Sequence, residues 1–227
     1  MKNIVVIGGS KGIGAAIVHS QLAHHNVINI SRTKPEITSN NFTHYSCDIL
    51  EDELPEIKAI DTLIYCPGSI NLKPISRLKI EDFREDYEIN VIGAVKAIQK
   101  YLPALKQGEN PTILLFSTVA TILGMPFHAS ISAAKSAIEG LVKSLAAELA
   151  PTVRVNAIAP TVTNTDLASK LLRNDKMIEN ITDRHPLKKF LEPQEVADMA
   201  DFLISDKSRS VSGQIFAIDC GIVSLKI

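Results

Sequence analysis

The sequence has no tryptophan and only 5% aromatic residues, and its three cysteines are Cys47, Cys66 and Cys220. These cysteines are far apart and lack the spacing of a metal site, so no metal is expected. An odd cysteine number without an export signal predicts reduced thiols and a cytoplasmic protein. No apolar run approaches the roughly 18 residues of a membrane span. The short apolar stretch IVVI after Asn3 leads into glycines and not into a cleavage site.

An excess of one charge is also missing. The 24 basic and 25 acidic side chains give a net charge of −1, without a block of like charges or a basic patch interleaved with aromatic residues. Nothing therefore predicts binding to nucleic acid or to an anionic membrane. With 45% hydrophobic and 22% charged residues, the composition is typical of a globular protein. The length predicts one domain over residues 1–227.

Short β-branched runs alternate with helical stretches along the chain. Strands are predicted at 3–8, 27–31, 43–47, 61–66, 112–117, 153–159 and 214–219, and helices near 12–24, 79–106, 130–149, 166–174 and 193–205. Most strands are apolar on both faces, as parallel strands covered by helices are. This order predicts an α/β fold with a doubly wound, seven-stranded parallel sheet of the Rossmann type. Residues 32–42 lack apolar periodicity, so the crossover after the second strand is expected to be reduced to a loop.

Glycines cluster between the first strand and the first helix, in VVIGGSKGIGAAI. Gly8, Gly12 and Gly14 allow a tight turn, the close approach of a phosphate and close packing of the helix on the strand. The N-terminus of the helix would present free N–H groups to an anion. A glycine-rich turn in this strand–turn–helix context predicts a dinucleotide site.

Three other motifs overlap these residues or lie elsewhere in the chain. GGSKG (8–12) also fits the G-x-S-x-G elbow of hydrolases, but that elbow normally follows several strands and this one follows the first. The phosphate loop of NTPases ends in Gly-Lys-Ser or Gly-Lys-Thr, which the turn lacks. Ser132 and Lys135 match a serine–lysine acyl-enzyme motif whose companion segments are missing. None of the three is favoured.

The residue about 20 positions after the glycine turn indicates the form of the cofactor. In NAD sites an acidic residue there binds the ribose hydroxyls. This sequence has Ser31 and Arg32, and Lys11 adds a second positive charge in the turn. Because a guanidinium binds a phosphate through forked, charge-assisted hydrogen bonds, the pair predicts NADP(H). A solvated surface arginine is the alternative.

Further motifs follow the glycine turn: CDI (47–49), the asparagine in YEINVIGAVKAI (87–98), NAIAPTVTNTDL (156–167) and EPQEVADMADFLISDKSRSVSGQIFAIDCG (192–221). With the turn, they make the chain resemble the short-chain dehydrogenase/reductase family along nearly its whole length. The resemblance implies oxidoreductase activity on a small molecule with a carbonyl or enoyl group, and a homodimer or homotetramer. It also implies a cofactor site formed by Gly8, Ser10, Lys11, Gly12, Ile13, Gly14, Ser31, Arg32, Asp48, Ile49, Cys66, Pro67, Gly68, Asn90, Lys135, Pro160, Val162 and Thr165.

The chain departs from the family's pattern where the chemistry occurs. The family's Tyr-x-x-x-Lys reads Ile131-Ser-Ala-Ala-Lys135, and the family's serine ahead of this helix aligns with Thr118. Asn-Asn-Ala-Gly after the fourth strand is replaced by YCPG (65–68), and Pro-Gly after the sixth by Pro-Thr (160–161). In the family the tyrosine donates a proton, while the lysine lowers its pKa and holds the nicotinamide ribose. Isoleucine can neither titrate nor donate.

The catalytic residues that the resemblance implies are Asn90, Thr118 and Lys135, with His128 as a substitute for the tyrosine. His128 lies seven residues before Lys135, the tyrosine-to-lysine spacing of the family's divergent enoyl reductases. Histidine suits proton transfer at neutral pH, although a solvated loop histidine is the alternative. Two hypotheses stay open: an NADPH-dependent reductase with an unusual proton donor, and an NADP(H)-binding sensor or assembly partner with little turnover, in which Ile131 is a core residue.

Overall fold

Seven parallel strands form one sheet in the computed structural model, which describes residues 1–226. The strands are β1 (Asn3–Ile7), β2 (Asn26–Ser31), β3 (Phe42–Ser46), β4 (Thr62–Tyr65), β5 (Thr112–Phe116), β6 (Arg154–Pro160) and β7 (Ile215–Ile218). Their order in the sheet is β3-β2-β1-β4-β5-β6-β7. Each predicted strand is confirmed, with bounds that differ by about one residue at either end.

Residues 1–226 contain six helices: α1 (Gly12–Gln21), α2 (Ile80–Tyr87), α3 (Gly93–Leu105), α4 (Ala129–Leu149), α5 (Asp175–Arg184) and α6 (Pro193–Ile204). Of these, α1, α3, α4 and α6 pack on the sheet. The long helix predicted near 79–106 is divided by a π-helical turn, Glu88–Ile92, between α2 and α3. Proline in the first turn of α6 and a capping box formed by Glu192 and Glu195 explain why this helix begins where the sequence predicts.

The alternation of side chains along β1 shows how the sheet is covered on both faces. Val5 and Ile7 belong to a core that includes buried residues of α3 and α4. Ile4 and Val6 belong to a second core that includes buried residues of α1 and α6. Because successive side chains of a strand point to opposite faces, these helices lie on opposite faces of one sheet. The predicted doubly wound fold is confirmed.

The loop predicted after the second strand is also confirmed, because residues 32–41 contain no helix. Among residues 1–226, no helix combines the length and the apolar character that crossing a membrane requires.

The helix predicted near 166–174 is wrong. Residues Asp166–Ala168 form a single 3-10 turn, in which the Thr165 side chain accepts a hydrogen bond from the N–H of Ala168. The following helix, α5, begins only after Asn174, whose side-chain oxygen accepts from Met177 N at 3.0 Å. Asparagine is a strong N-cap residue, and this capping position determines the start of α5.

The order of the strands places a crevice between the carboxyl ends of β1 and β4. The winding of the chain reverses there, because β1 pairs with β2 on one side and with β4 on the other. In such sheets ligands bind at this switch point. The turns that follow the two strands are in contact, since a Cβ on Gly8 would lie 3.0 Å from Cδ of Pro67.

Candidate active site

Glycines shape the turn between β1 and α1. Gly8 and Gly12 have φ angles of +79° and +54°, which favour glycine. A Cβ on Gly14 would come closer to the carbonyl oxygen of Gly8 than the 3.0 Å that real Cβ atoms keep. Lys11 precedes α1 in an extended conformation and does not cap it with its side chain. The first N–H groups of α1 are therefore free to bind an anion such as a phosphate.

The segment after β6 closes over this turn. A Cβ on Gly12 would lie 3.0 Å from Cγ2 of Thr165. Pro160 and Val162 line the same cavity as Ile13, from the opposite side of the crevice. Ser10 lies within the turn itself. These predicted cofactor residues therefore surround one end of the crevice.

The two cations predicted to bind the 2′-phosphate lie beside different carboxylates. Arg32 Nη1, directly after β2, is 3.7 Å from Asp48 Oδ2. Lys11 Nζ is 3.4 Å from Asp166 Oδ2, which belongs to the segment after β6. The Arg32 and Lys11 side chains are 80% and 70% exposed, respectively. Such exposed ion pairs are weak. The Arg32 guanidinium therefore remains available to a ligand that reaches the end of β2. The Lys11 ammonium points toward Asp166 instead.

Two other predicted cofactor residues are buried. The hydroxyl of Ser31 accepts from Asn29 Nδ2 and donates to the carbonyl of Thr33, both at 3.0 Å. The Ile49 side chain is part of the core under α3 and α4. The side chains of Ser31 and Ile49 therefore shape the wall of the site and leave only their backbone to face a ligand.

Cys66, Pro67 and Gly68 follow β4 and lie at the centre of the crevice. Burial raises the pKa of the Cys66 thiol to about 12, with the Lys135 ammonium opposing this rise. The thiol is therefore protonated at neutral pH and is not a nucleophile. A Cβ on Gly68 would lie 3.1 Å from Asn90 Oδ1 and 3.6 Å from Lys135 Nζ. Because glycine has no side chain, nothing at this position separates Asn90 Oδ1 from Lys135 Nζ.

Asn90 lies on the π-helical turn, which its side chain stabilises. Its Nδ2 donates to the carbonyl of Asp86 at 2.7 Å, and the Tyr65 hydroxyl donates to the carbonyl of Ile89 at 2.6 Å. Turns of this kind are frequent at functional sites. The Oδ1 of Asn90 is buried without a hydrogen-bond partner in residues 1–226. Because buried polar atoms are normally satisfied, a ligand or a water is expected at this oxygen.

His128, Ile131 and Lys135 follow one another at intervals of three and four at the start of α4, which brings them to one side of the helix. Lys135 Nζ donates to the carbonyl of Phe116, at the end of β5, at 2.8 Å. Burial lowers the pKa of Lys135 to about 8, and the neighbouring Cys66 and, to a smaller extent, Asp86 oppose this decrease. Ile131 is 5% exposed, so an apolar group fills the position of the family's tyrosine.

His128 precedes the first residue of α4 and is partly exposed. Its Nδ1 lies 2.8 Å from the carbonyl oxygen of Pro126. We assign the proton to Nδ1, since a carbonyl can only accept. The other nitrogen, Nε2, is left to exchange a proton.

A cavity of about 190 Å³ joins these elements. Thr118, His128, Ile131 and Lys135 line it, together with Ile13, Cys66, Gly68, Pro160, Val162 and Thr165. Asn90 lies behind Gly68. A mostly apolar cavity with a few polar groups is typical of a small-molecule site. The structure thus brings the four predicted catalytic residues together, and a second, more open cavity of about 480 Å³ adjoins the first at His128.

Sequence reasoning missed a buried carboxylate beside this cavity. Asp86 accepts hydrogen bonds from the hydroxyls of Ser69 and Ser130 and, at 3.0 Å, from Asn71 Nδ2. Ser69 also lines the cavity. The interval of four residues between Asp86 and Asn90 is the one sequence signal that links this carboxylate to the site, because it places both on one side of a helix.

Thr161 was also missed as a functional residue. Its hydroxyl lies 2.8 Å from Nε2 of the buried His185, whose Nδ1 is 2.7 Å from the carbonyl of Ile181. The carbonyl assigns the proton to Nδ1, so Thr161 donates to Nε2. This pair holds the end of α5 against the cavity wall.

These features fit a nicotinamide dinucleotide. The open N-terminus of α1 suits the pyrophosphate, Arg32 stands at the adenosine ribose end, and the unpartnered Oδ1 of Asn90 lies beside Lys135 at the other end. No group of His, Cys, Asp and Glu side chains in the described part of the chain is arranged to hold a metal ion.

Comparisons with known proteins agree with this arrangement. A family model described as Enoyl-(Acyl carrier protein) reductase matches residues 14–223. The 2,5-dichloro-2,5-cyclohexadiene-1,4-diol dehydrogenase of Sphingobium indicum is 28% identical over 244 residues, which cover 99% of this chain and 98% of that protein. The 3-oxoacyl-(acyl-carrier-protein) reductase FabG of Thermotoga maritima is 33% identical over 177 residues, 78% of this chain and 71% of that protein.

A comparison with solved structures identifies the same family. A short chain dehydrogenase family protein from Francisella tularensis matches the structure with a TM-score of 0.89 and 26% identity, over 99% of this chain and all of that one. The sequence motifs, the sheet order and the matched family model lead to one conclusion. The chain belongs to the short-chain dehydrogenase/reductase family, a family of oxidoreductases that bind a nicotinamide cofactor.

Proposed function

We propose that the protein is an NADP(H)-dependent reductase of a carbonyl or enoyl group in a small molecule, with a proton donor other than tyrosine. The observation that carries this proposal is the cavity that Thr118, His128 and Lys135 share, next to the unpartnered oxygen of Asn90. Cofactor binding alone would require the glycine turn and Arg32. It would not require a relay asparagine beside the lysine.

The nicotinamide would supply the hydride, and the chain supplies position and proton. Lys135 donates one hydrogen bond to Phe116, which leaves its other N–H groups for a ligand. The oxygen of Thr118 accepts from Ala120 N at 3.3 Å, so its own hydrogen is free to stabilise an oxygen on which negative charge develops. Ile131 adds an apolar wall that excludes water from the same point.

His128 is the proposed proton donor. It lines the cavity, and its Nδ1–H is engaged with Pro126, so Nε2 is the atom that would carry the transferred proton. Histidine is the side chain that most often performs general acid catalysis near neutral pH.

A cofactor-binding protein with little turnover is the second candidate. The observation that favours it is Ile131, which is buried at the position of the tyrosine and cannot titrate. Under this hypothesis, the intact cofactor site would serve as a sensor or in assembly.

The preference for NADP(H) is proposed from Arg32. Its exposed guanidinium follows β2, where the adenosine ribose is expected, and the position carries no acidic residue. A 2′-phosphate would form charge-assisted hydrogen bonds with it. Lys11 adds positive charge to the glycine turn, although its partner in the structure is Asp166.

The test incubates the protein with NADPH and a panel of carbonyl and enoyl compounds while nicotinamide absorbance is followed. Turnover is expected in wild type, with a loss of about 10²-fold or more in His128→Ala. His24→Ala, an exposed histidine between α1 and β2, is the matched control and should retain full turnover. If NADPH binds in calorimetry but no compound is reduced, the second candidate replaces the first.

We further propose that the protein is a cytoplasmic homodimer or homotetramer. Ala133, Ser136 and Gly140 are exposed on the outer face of α4 and would allow a second copy to approach closely, with α3 beside it. The cysteines are free thiols, as in proteins of a reducing compartment. A light-scattering mass equal to the 24.7 kDa of one chain would contradict the oligomer.

A further inference from the structure

Asp86 is a buried carboxylate that the proposed chemistry does not use. Its side chain lies on α2 with 0% exposure. Acidic residues are almost never fully buried unless they are paired, yet the groups that donate to Asp86 are neutral: the hydroxyls of Ser69 and Ser130 and the amide of Asn71. These donors come from two other segments, the loop after β4 and the first turn of α4.

Hydrogen bonds connect Asp86 to Asn90, whose free oxygen lies near Lys135. Ser69 donates to Asp86 and accepts from Asn90 Nδ2 at 3.1 Å. The other end of the Asn90 amide, Oδ1, and the Nζ of Lys135 both lie within 4 Å of the point where a Cβ on Gly68 would stand. Hydrogen bonds therefore join the carboxylate to the asparagine, and the free oxygen of the asparagine and the lysine ammonium lie at the same point of the crevice.

We propose that Asp86 is a positioning residue of the active site, a buried counter-charge that holds Asn90 and the Lys135 ammonium in place. The inference deepens the proposed function and rests on it for its catalytic meaning. The titratable groups around Lys135 are Asp86 on α2, the Cys66 thiol after β4 and His128 at the start of α4. Since burial keeps the Cys66 thiol protonated, Asp86 supplies the negative charge.

The negative charge of Asp86 matters for the charge state of Lys135 because the family's tyrosine is absent. The apolar Ile131 offers Lys135 no polar partner, and burial among apolar groups favours the neutral amine. A negative charge nearby favours the ammonium instead. Ser130, the residue before Ile131, donates to the same carboxylate, so Asp86 also fixes the turn of α4 on which the cavity is built.

The test measures the titration of Lys135 in the cofactor-free protein, so that its outcome does not depend on turnover. Acetylation by acetic anhydride is followed over a pH series, and the peptide that contains Lys135 is quantified by mass spectrometry. Wild type should titrate near the pKa of about 8. In Asp86→Asn the titration is expected to move down by about one pH unit. Asp82→Asn removes a carboxylate one turn earlier, paired with Lys73, and should leave it unchanged.

Equal titration of Lys135 in wild type and Asp86→Asn would overturn the proposal. If Asp86→Asn does not fold, the double variant Asp86→Leu, Ser130→Ala is used. It removes the carboxylate together with one of its donors and therefore leaves fewer unsatisfied donors than Asp86→Leu alone. The same downward shift is expected there, and its absence would also overturn the proposal. Failure of the proposed function is seen separately, as a wild type whose Lys135 titrates as expected while no substrate is reduced.

Discussion

The two ends of the active-site crevice are built in different ways. At the glycine turn, backbone geometry forms the anion site, and the charges of Lys11 and Arg32 are exposed. At the start of α4, buried polar side chains form the site, and Asp86 joins residues 15 to 44 positions away. Exposed charges can be changed one at a time with small, additive effects, whereas residues of one network change together. Under the proposed function, the first end would determine which cofactor binds, and the second would determine what the bound cofactor can do.

The largest effect is expected at the α4 end, from Ile131→Tyr. The phenol would stand one turn before Lys135, in the cavity that Thr118 also lines. General acid catalysis contributes about 10² to 10⁴-fold, so in the His128→Ala background, where the proposed donor is missing, carbonyl reduction should rise accordingly. Because Ile131 is buried, the larger side chain should reduce stability by about 1–3 kcal/mol in a denaturant melt.

Ile131→Phe is the matched control, since it has nearly the size of tyrosine without the hydroxyl. It should lose similar stability and gain no activity. An Ile131→Tyr variant that folds, binds NADPH and reduces no more than Ile131→Phe would contradict the prediction.

At the glycine end, Gly14→Ala should have the next largest effect. The added Cβ meets the backbone of Gly8, which cannot move without opening the turn. We expect a loss of at least about 2 kcal/mol in stability and of about tenfold or more in NADPH affinity. Gly124→Ala is the control: nothing lies within 4 Å of its Cβ position in the exposed loop before α4, and alanine should leave NADPH binding unchanged. Equal NADPH affinities in the two variants would contradict this account of the turn.

Lys135→Met should change how stability depends on pH. The folded pKa of Lys135, about 8, lies below its ordinary value of 10.5, so the unfolded chain binds more protons between these pH values. Wild-type stability should therefore rise from about pH 8 to 10.5, and the full cost of burying the ammonium is present below pH 8. The rise should amount to about 3 kcal/mol.

Urea unfolding at neutral and alkaline pH measures this effect. Lys135→Met should lack the rise. Lys143→Met, on the exposed face of α4, should keep it. A Lys135→Met variant whose stability still rises from about pH 8 to 10.5 would contradict the burial of the ammonium.

The smallest effect is expected for Arg32→Ala. Wild type should bind NADPH about tenfold more tightly than NADH, a difference of about 1.4 kcal/mol, and the variant should lose this preference. Lys58→Ala removes the same charge from the loop before β4, at the amino ends of the strands, and should retain the preference. Equal wild-type affinities in calorimetry would contradict the assignment of the cofactor.

The sequence predicted the glycine end better than the α4 end for a physical reason. The strands and the glycine turn depend on local patterns, which a sequence displays directly. The hydrogen-bond partners of Asp86 come from segments that are distant in the sequence and meet only in the folded protein. No local sequence pattern indicates that these segments meet. The misplaced helix near 166–174 has a smaller cause, the N-cap role of Asn174, which periodicity alone does not show.

We propose that this chain transfers a hydride without the tyrosine of its family. The most direct measurement uses NADPH deuterated at the transferred position and analyses the panel compounds by mass spectrometry, which detects a single turnover. Wild type should produce a deuterium-labelled product, and Lys135→Met should produce far less of it. A wild-type protein that binds NADPH but labels none of the carbonyl or enoyl compounds would contradict the claim.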